Sequence, residues 1–223
     1  MSSKQLYDSI FQKNINEIEN NRIVIDQYLS KDKIDNRRGI SLIIPITFNS
    51  FVYRDLVNEY YNIEPDQYYY PDIDLHITIF TFLSARDTYK NNEDLNRCFK
   101  YISESVLQNI PPFKILLYGL TFSKEAGFIN GYDNDLLIYI RNSIRIEMKN
   151  KGLIIDERYK SETAHITFTR FVNPLHDNKR LVNKIREDKN RTIEEIKIDK
   201  IELVEHDWYN KFSHKKVLET FII

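Results

Sequence analysis

Two short segments of this 223-residue chain repeat one pattern: Leu75-His76-Ile77-Thr78-Ile79-Phe80 and Ala164-His165-Ile166-Thr167-Phe168-Thr169. Each segment has a histidine, an apolar residue and a threonine within a run of apolar and β-branched residues that is typical of a strand. Because successive side chains of a strand point to opposite faces, the histidine and the threonine share one face and the apolar residues share the other. Each strand is therefore predicted to present an imidazole beside a hydroxyl, with apolar side chains behind.

Two such strands facing each other would carry the groups that in-line displacement at a phosphodiester requires. One group activates the nucleophile and another protonates the leaving oxygen, and histidine, with an ordinary pKa of about 6.5, suits both tasks near neutral pH. Threonine hydroxyls can donate hydrogen bonds to the non-bridging phosphate oxygens. The pattern predicts a metal-independent site in which His76 and His165 are catalytic and Thr78 and Thr167 bind substrate.

A structural interpretation of the same pattern is two half-buried strands that each happen to carry a polar His-x-Thr face. One such triplet is weak evidence, because chance produces it often. Two triplets with matched strand patterns in corresponding halves of the chain favour the functional interpretation.

Composition narrows the class of protein. Lys and Arg number 32 and Asp and Glu number 33, which gives a net charge of -1. Proteins that grip long nucleic acids by bulk charge are usually markedly basic, so a long duplex is not the expected partner. A small local phosphate site is compatible with this balance, and 42% hydrophobic residues suffice for one large domain or two small lobes.

The sequence also argues against disulfides, metal sites, a signal peptide and a membrane span. Cys98 is the single cysteine, so neither an intramolecular disulfide nor a Cys-rich zinc site can form, and the sequence has no H-x-H or H-E-x-x-H motif. We expect no metal and no cofactor. The N-terminal segment lacks the apolar core of a signal peptide, and no apolar run approaches the roughly 18 residues of a membrane span. A cytoplasmic protein without a membrane partner is expected.

Helices and strands alternate along the rest of the chain. Apolar spacing predicts helices over about residues 3–30, 50–60, 92–108, 134–152 and 176–190, with Asn134 as a helix cap and Gly152 as a helix stop. Apolar runs and alternation predict strands over 40–46, 74–82, 113–118, 126–132, 163–171, 196–204 and 216–222. Several strand pairs are close enough in sequence to be antiparallel, and no Pro/Ser-rich linker divides the chain.

The paired motifs resemble the 2H phosphoesterases, also called the LigT-like or 2′-5′ RNA ligase family, whose signature is one H-x-T/S motif in each of two lobes. The surroundings of the motifs are also similar: Asp74-Leu75 precedes the first, Arg170 follows the second, and a strand, a Gly-Tyr turn, a helix and a glycine occupy 128–152. The resemblance covers about residues 38–223, and residues 1–37 are expected to form a helical extension.

This resemblance implies an α+β fold with two pseudo-symmetric lobes, whose antiparallel sheets face a central cleft and carry helices outside. It implies that His76 and His165 act as acid and base and that Thr78 and Thr167 bind phosphate. It also implies a hydrolase that acts on 2′,3′-cyclic phosphate or 2′-5′ phosphodiester bonds of a nucleotide or short RNA.

Other residues have both a functional and a structural interpretation. Alternation places Arg170 on the strand face opposite His165, where it would stabilise phosphate or form a structural ion pair, and it places Thr169 on the His165 face. Tyr70, at the end of a tyrosine cluster, would stack on a nucleobase or pack its loop onto the body. Phe80 would line the pocket or join the core. The remaining histidines are interpreted as surface residues and Trp208 as packing; these histidines are His176, His206 and His214.

Two further hypotheses belong to other classes of protein. A non-catalytic nucleotide- or RNA-binding module would use the same cleft, although binding alone does not need two titrating groups at mirrored positions. A protein-interaction domain would use the N-terminal helix. A nucleotide or short RNA is the expected partner, and a monomer is the favoured oligomeric state.

Overall fold

The computed structural model describes residues 2–30, 34–48, 51–157 and 160–223. The strands are β1 (Arg38–Pro45), β2 (Tyr68–Tyr69), β3 (His76–Arg86), β4 (Phe113–Phe122), β5 (Ala126–Tyr132), β6 (Ala164–Arg170), β7 (Thr192–Ile198), β8 (Lys200–His206) and β9 (Lys216–Ile222). The helices are α1 (Ser3–Glu19), α2 (Gln27–Ser30), α3 (Val52–Tyr61), α4 (Glu93–Leu107), α5 (Leu136–Asn150) and α6 (Asn178–Asp188). No helix in these ranges is both long and apolar enough to cross a bilayer.

The strands form two antiparallel sheets. Sheet A has the order β3-β1-β8-β9, and sheet B has the order β2-β6-β5-β4-β7. The strands that carry the two His-x-Thr motifs, β3 and β6, contact each other where the sheets meet. This arrangement confirms the predicted α+β fold with two facing antiparallel sheets, and it brings the two motifs to one place.

The buried faces of both sheets and the helices form one connected apolar core. Helices α1 and α6 pack against β4, α5 packs against β3, and α4 packs against β9. The buried residues Phe11, Ile15 and Ile18 of α1 belong to the same core as the sheets. The N-terminal helix is thus an integral outer layer of sheet B, and a domain boundary after residue 37 stays a prediction.

The N-terminal helix is shorter than the periodicity predicts. Instead of one helix over 3–30, α1 ends at Glu19 and the short α2 follows after a gap. Asn20 caps α1, and Asn21 takes a left-handed conformation at φ 55°, which a right-handed helix cannot continue through. Met1 and residues 31–33 of the predicted extension lie outside the described ranges.

Two predicted strand ends are wrong. Gly119 does not close the strand at 113–118: β4 passes through Gly119, at φ 78°, and continues to Phe122, with a shift of register against β5 between Leu117 and Leu120. The predicted strand over 196–204 is two strands that meet at Asp199. Strand β7 pairs with β4 in sheet B and β8 pairs with β1 in sheet A, and the chain changes sheet at Asp199-Lys200, where two consecutive polar residues shift the apolar alternation by one position.

The start of α5 also differs from the prediction, whereas its end is confirmed. Asn134 does not cap the helix, because the carboxylate of Asp133 accepts the hydrogen bond from the backbone N–H of Leu137, at 2.5 Å. Gly152 follows the helix at φ 66°, the left-handed conformation that ends many helices.

Candidate active site

A cleft of about 160 Å³ lies where sheets A and B meet. All four residues of the two motifs line it: His76 and Thr78 from β3, and His165 and Thr167 from β6. The fold thus brings together the residues that the repeat singles out. Each strand presents its histidine and threonine to the cleft and its apolar residues, Ile77 and Ile166, to the core.

The His76 ring is held in one tautomer by the backbone. Its Nδ1 lies 2.8 Å from the carbonyl oxygen of Asp74, and because a carbonyl only accepts, Nδ1–H donates this bond. The neutral ring therefore keeps its lone pair on Nε2. Burial lowers the pKa of His76 to about 4, since the imidazolium is less well solvated in the cleft than in water. At neutral pH His76 is therefore neutral and can act as a base.

The His165 ring has different neighbours. Its Nδ1 lies 2.8 Å from the hydroxyl oxygen of Thr163, and the ring packs edge-on against Phe128, with 4.8 Å between ring centroids. Burial lowers the pKa of His165 to about 4, and the positive charge of Arg141 adds to this effect. A phosphate anion bound between the rings would favour the imidazolium form of both histidines, because opposite charge stabilises it.

Arg141 lies behind the two motifs and joins them. Its side chain comes from α5, and the residue is only 1% exposed. The guanidinium donates from Nε to the carbonyl of Ile79 at 2.7 Å, and from Nη2 to the carbonyls of Thr78 at 3.1 Å and Thr163 at 2.8 Å. One side chain thus binds the backbone at the first motif and the backbone just before the second.

The sequence pattern alone does not single out Arg141. The available signal is its position: Arg141 lies four residues after Leu137 and three before Ile144, on the apolar stripe of α5. A charged residue on a buried stripe needs partners, and here they are backbone carbonyls.

A β-bulge follows the threonine in each motif strand. Against β1, Ile43 is opposite Thr78 and Leu42 is opposite Phe80, so Ile79 is the extra residue. Against β5, Phe128 is opposite Thr167 and Gly127 is opposite Thr169, so Phe168 is the extra residue. After each bulge the alternation of side chains is reversed.

The bulges decide which residues reach the cleft after the threonines. Thr81 and Arg170, each five positions after its histidine, line the cleft. The prediction that Arg170 faces away from His165 is therefore wrong. So is the placement of Thr169 on the His165 face, because Thr169 is buried and its hydroxyl donates to the carbonyl of Tyr68 at 3.0 Å. Phe80 is fully buried in the core.

Arg170 is anchored by its neighbours on the wall of the cleft. Its Nε donates to the hydroxyl oxygen of Tyr70 at 2.9 Å, and its Nη1 lies 3.9 Å from a carboxylate oxygen of Asp26. Tyr70 borders the cleft but is only 3% exposed, so its ring offers little surface on which a base could stack. Its ring packs edge-on against Tyr68, and its hydroxyl binds Arg170, whose planar donor group suits phosphate oxygens.

One histidine that we predicted at the surface lies in the cleft. His206 ends β8, and its Nε2 is 2.8 Å from the hydroxyl oxygen of Ser41 on the neighbouring strand β1. The surface interpretation of His206 is wrong because β8 joins sheet A and turns this side chain toward the cleft. Trp208, predicted to serve packing, also lines the cleft. His176 and His214 are exposed, as predicted.

The described part of the chain holds no cluster of metal ligands. In residues 2–30, 34–48, 51–157 and 160–223, no three side chains of His, Cys, Asp and Glu come together in an arrangement that could hold a metal ion.

Several solved structures share this fold. TT0787 of Thermus thermophilus is 16% identical, with a TM-score of 0.59 over 83% of this chain and 97% of that one. Escherichia coli LigT in complex with 3′-AMP is 10% identical, with a TM-score of 0.56 over 84% and 98% of the two chains. A conserved protein of unknown function from Agrobacterium tumefaciens is 13% identical, with a TM-score of 0.54 over 92% and 98%. No family model and no curated protein sequence matches the chain.

Proposed function

We propose that this protein is a 2H phosphoesterase that hydrolyses 2′,3′-cyclic phosphate or 2′-5′ phosphodiester bonds of a nucleotide or short RNA without a metal ion. The observation that carries the proposal is the meeting of both His-x-Thr motifs, His76-Ile77-Thr78 and His165-Ile166-Thr167, in one cleft between two facing sheets. The fold shared with LigT, a protein crystallised with 3′-AMP, supports a nucleotide as the ligand of this cleft.

In the proposed reaction, the substrate phosphate lies between the two rings. One histidine has a neutral ring with a free lone pair on Nε2, and it takes a proton from water as the water oxygen bonds to phosphorus. The other histidine, protonated when the anion binds, gives its proton to the ribose oxygen as the phosphorus–oxygen bond to that oxygen breaks. One water is consumed, and the two rings exchange protonation states until solvent resets them.

The remaining residues bind charge rather than transfer protons. Thr78 and Thr167 donate hydrogen bonds to the non-bridging oxygens, whose charge needs fixed donors in the transition state. Arg170 adds a full positive charge on the sheet B side. Because Tyr70 holds the Arg170 guanidinium, this charge is in place before substrate arrives.

Hydrolysis of a substrate panel tests this proposal. The panel contains 2′,3′-cyclic nucleotides and 2′-5′-linked oligonucleotides, all with EDTA present, and compares wild type with His76→Ala and His165→Ala. Each variant should lose about 10²–10⁴-fold in kcat, the usual contribution of a positioned acid or base. His176→Ala, which removes an exposed histidine outside the cleft, is the matched control.

Three results would count against the proposal. Turnover that survives both substitutions would place the site elsewhere, and turnover abolished by EDTA would contradict the metal-independent mechanism. Nucleotide binding with no turnover of any panel member would favour the non-catalytic binding module.

A further inference from the structure

A row of neutral polar side chains crosses sheet A beside the two motifs. Thr81 on β3, Ser41 on β1 and His206 on β8 come from three neighbouring strands, and all three line the cleft. The hydroxyl oxygens of Ser41 and Thr81 are 3.4 Å apart, and the Ser41 oxygen is 2.8 Å from His206 Nε2. The proposed proton transfers use none of these three residues.

The backbone fixes the direction of hydrogen bonding in this row. His206 Nδ1 lies 2.5 Å from the carbonyl oxygen of Asp207 and donates to it, so Nε2 of the neutral ring accepts from the Ser41 hydroxyl. The Ser41 oxygen keeps its own lone pairs for another donor. Burial lowers the pKa of His206, which keeps the ring neutral at neutral pH.

At the positions beside the two motifs the sheets therefore differ in charge, and the carboxylate of Glu157, which also lines the cleft, is paired with Arg145. Arg170 gives the sheet B side a cation, whereas Thr81, Ser41 and neutral His206 give the sheet A side hydroxyls and an imidazole without charge. A cation suits phosphate oxygens. A neutral row of donors and acceptors suits an uncharged polar group, such as a ribose hydroxyl or the edge of a base.

The segment that follows β8 continues this surface. Trp208 lines the cleft with a half-buried ring, and the Arg37 guanidinium lies 4.6 Å from the ring centroid. Asn210 borders the same cleft and is 2% exposed, and neither polar atom of its amide has a hydrogen-bond partner among the described residues. A buried amide without partners is unfavourable, so the Asn210 amide is available to a ligand that can pair with it.

Asp207 holds this segment in shape. Its carboxylate accepts from the backbone N–H groups of Tyr209 and Lys211, each at 3.0 Å, and lies 3.0 Å from His214 Nδ1. Asp207 is fully buried. His206, Trp208 and Asn210 are thus set by a braced loop at the end of a strand, which is the kind of support that a binding surface requires.

We infer that Ser41, Thr81, His206, Trp208 and Asn210 form the nucleoside subsite of the cleft, which binds the ribose and base of the substrate while the two motifs bind its phosphate. This inference rests on the proposed function, since it assumes a nucleotide in the cleft. The hydroxyl row would exchange hydrogen bonds with ribose hydroxyls. Trp208 would stack on the base, and the Asn210 amide, with both donors and an acceptor, matches the mixed donor and acceptor pattern of a base edge.

Calorimetric titration separates the two parts of the ligand. Adenosine 2′-monophosphate, adenosine 3′-monophosphate and inorganic phosphate are titrated into wild type, Ser41→Ala, His206→Ala, Trp208→Leu and the exposed control His176→Ala. Wild type should bind at least one nucleotide more tightly than phosphate. Trp208→Leu should weaken nucleotide binding about 5- to 100-fold, the range for loss of base stacking. Ser41→Ala and His206→Ala should weaken it about 2- to 10-fold, as for a lost hydrogen bond.

Phosphate affinity is the internal reference, because the motif residues are intact in every variant. It should stay within about 2-fold of wild type. Ser41→Ala removes one hydroxyl only, so it keeps the test decisive if His206→Ala fails to fold. The inference is overturned if wild type binds neither nucleotide more tightly than phosphate, if the variants keep wild-type nucleotide affinity, or if nucleotide and phosphate affinity fall together.

Failure of the subsite and failure of the proposed hydrolysis remain distinguishable, because binding is measured without turnover. A protein that hydrolyses nothing but shows selective loss of nucleotide binding in Trp208→Leu keeps the subsite and loses the catalytic proposal. If the protein hydrolyses the panel and all variants bind nucleotide as wild type does, the catalytic proposal stands and the subsite is overturned.

Discussion

At the scale of single residues, Arg141 does the most to relate the two motifs to each other. A guanidinium has its donors in a rigid plane, and three carbonyls around Arg141 use them: those of Thr78, Ile79 and Thr163. The distance between the two histidines therefore depends in part on one buried side chain that touches neither ring. Burial without a directly bonded carboxylate also leaves its positive charge close to His165.

Replacing Arg141 should change stability and the titration of one histidine. Arg141→Met leaves three carbonyls without this donor, two of them in buried hydrogen bonds at about 1–3 kcal/mol each, so the free energy of unfolding should fall markedly. The loss of positive charge should raise the pKa of His165, which His76 and Arg170 also lower. The pKa of His76, lowered by burial and by His206, Lys215 and Arg170, should move less. Histidine titration by NMR measures both rings.

Arg141→Lys is the matched variant for that titration. It keeps the charge, so His165 should titrate near its wild-type pKa. It lacks the planar donors that position the two motifs, so kcat should fall in this variant as well as in Arg141→Met. An Arg141→Met protein with an unchanged His165 titration would contradict the electrostatic part of this account. Unchanged kcat in both variants would contradict the positioning part.

Tyr70 should act on the substrate through Arg170. Tyr70→Phe removes the hydroxyl that accepts the 2.9 Å hydrogen bond from Arg170 Nε. A less well anchored guanidinium should raise KM about 2- to 10-fold with a smaller effect on kcat, as expected for one lost hydrogen bond. Tyr69→Phe, which removes a neighbouring hydroxyl bonded to the Glu64 carbonyl, should leave KM unchanged. Equal kinetics of the two variants would exclude the anchoring role.

At the scale of elements, pattern predicts the motif strands but not the bulges within them. The alternation around His76 and His165 is local and visible in sequence. A bulge depends on which residue of the neighbouring strand is opposite, and that pairing is tertiary. In β3 the apolar doublet Ile79-Phe80 hints at two inward residues in succession, but in β6 the equivalent Phe168-Thr169 reads as ordinary alternation. For this reason the sequence pattern predicts Arg170 on the wrong face.

The change of sheet between β7 and β8 is only weakly marked in the sequence. Apolar alternation changes phase at Asp199-Lys200, but no glycine or proline marks a turn there, so the segment is predicted as one strand where two strands join different sheets. That error also conceals His206. A strand that belongs to sheet A turns its last residue toward the cleft, whereas a histidine without a threonine or serine two positions later is interpreted from sequence as a surface residue.

We expect helix α1 to contribute to the stability of the folded domain rather than to form an independent extension. Ile18 is completely buried in the core that α1 shares with sheet B, so Ile18→Ala should lower the free energy of unfolding by about 2–5 kcal/mol. Val24, beyond the end of α1, is 46% exposed, and Val24→Ala should change it by at most about 0.5 kcal/mol. Urea unfolding measures both. Equal and small effects would indicate that the core of residues 38–223 is independent of α1.

At the scale of the whole molecule, the two sheets repeat one local design and then diverge. Each contributes a histidine, a threonine and a bulge at equivalent positions, after which sheet A presents Thr81 and sheet B presents Arg170. The repeat is readable in the sequence because it consists of short, local motifs. The divergence is not readable, because the bulges that turn Thr81 and Arg170 to the cleft depend on strand pairing, and Ser41, His206 and Arg141 reach the site from distant parts of the chain.

The buried histidines should make the stability of the whole molecule depend on pH. His76 and His165 have a pKa of about 4 in the folded protein, below the ordinary value of about 6.5 expected after unfolding. Between these values the unfolded chain binds more protons, so the free energy of unfolding rises with pH. The contribution is complete above about pH 6.5 and is lost as pH falls toward 4, with an upper bound of about 3 kcal/mol for each ring.

Urea unfolding at about pH 4.5 and pH 7.5 tests this dependence in wild type and in a His76→Gln, His165→Gln double variant. The double variant lacks both titrating rings and should lose less stability on acidification than wild type, although neutral, buried His206 still contributes in both proteins. Inorganic phosphate should reduce the acid sensitivity of wild type, because an anion in the cleft stabilises the imidazolium forms, and should have little such effect on the double variant. An identical pH dependence in the two proteins would mean that the motif histidines are hydrated enough to titrate normally, and the lowered pKa of both rings would then have to be abandoned.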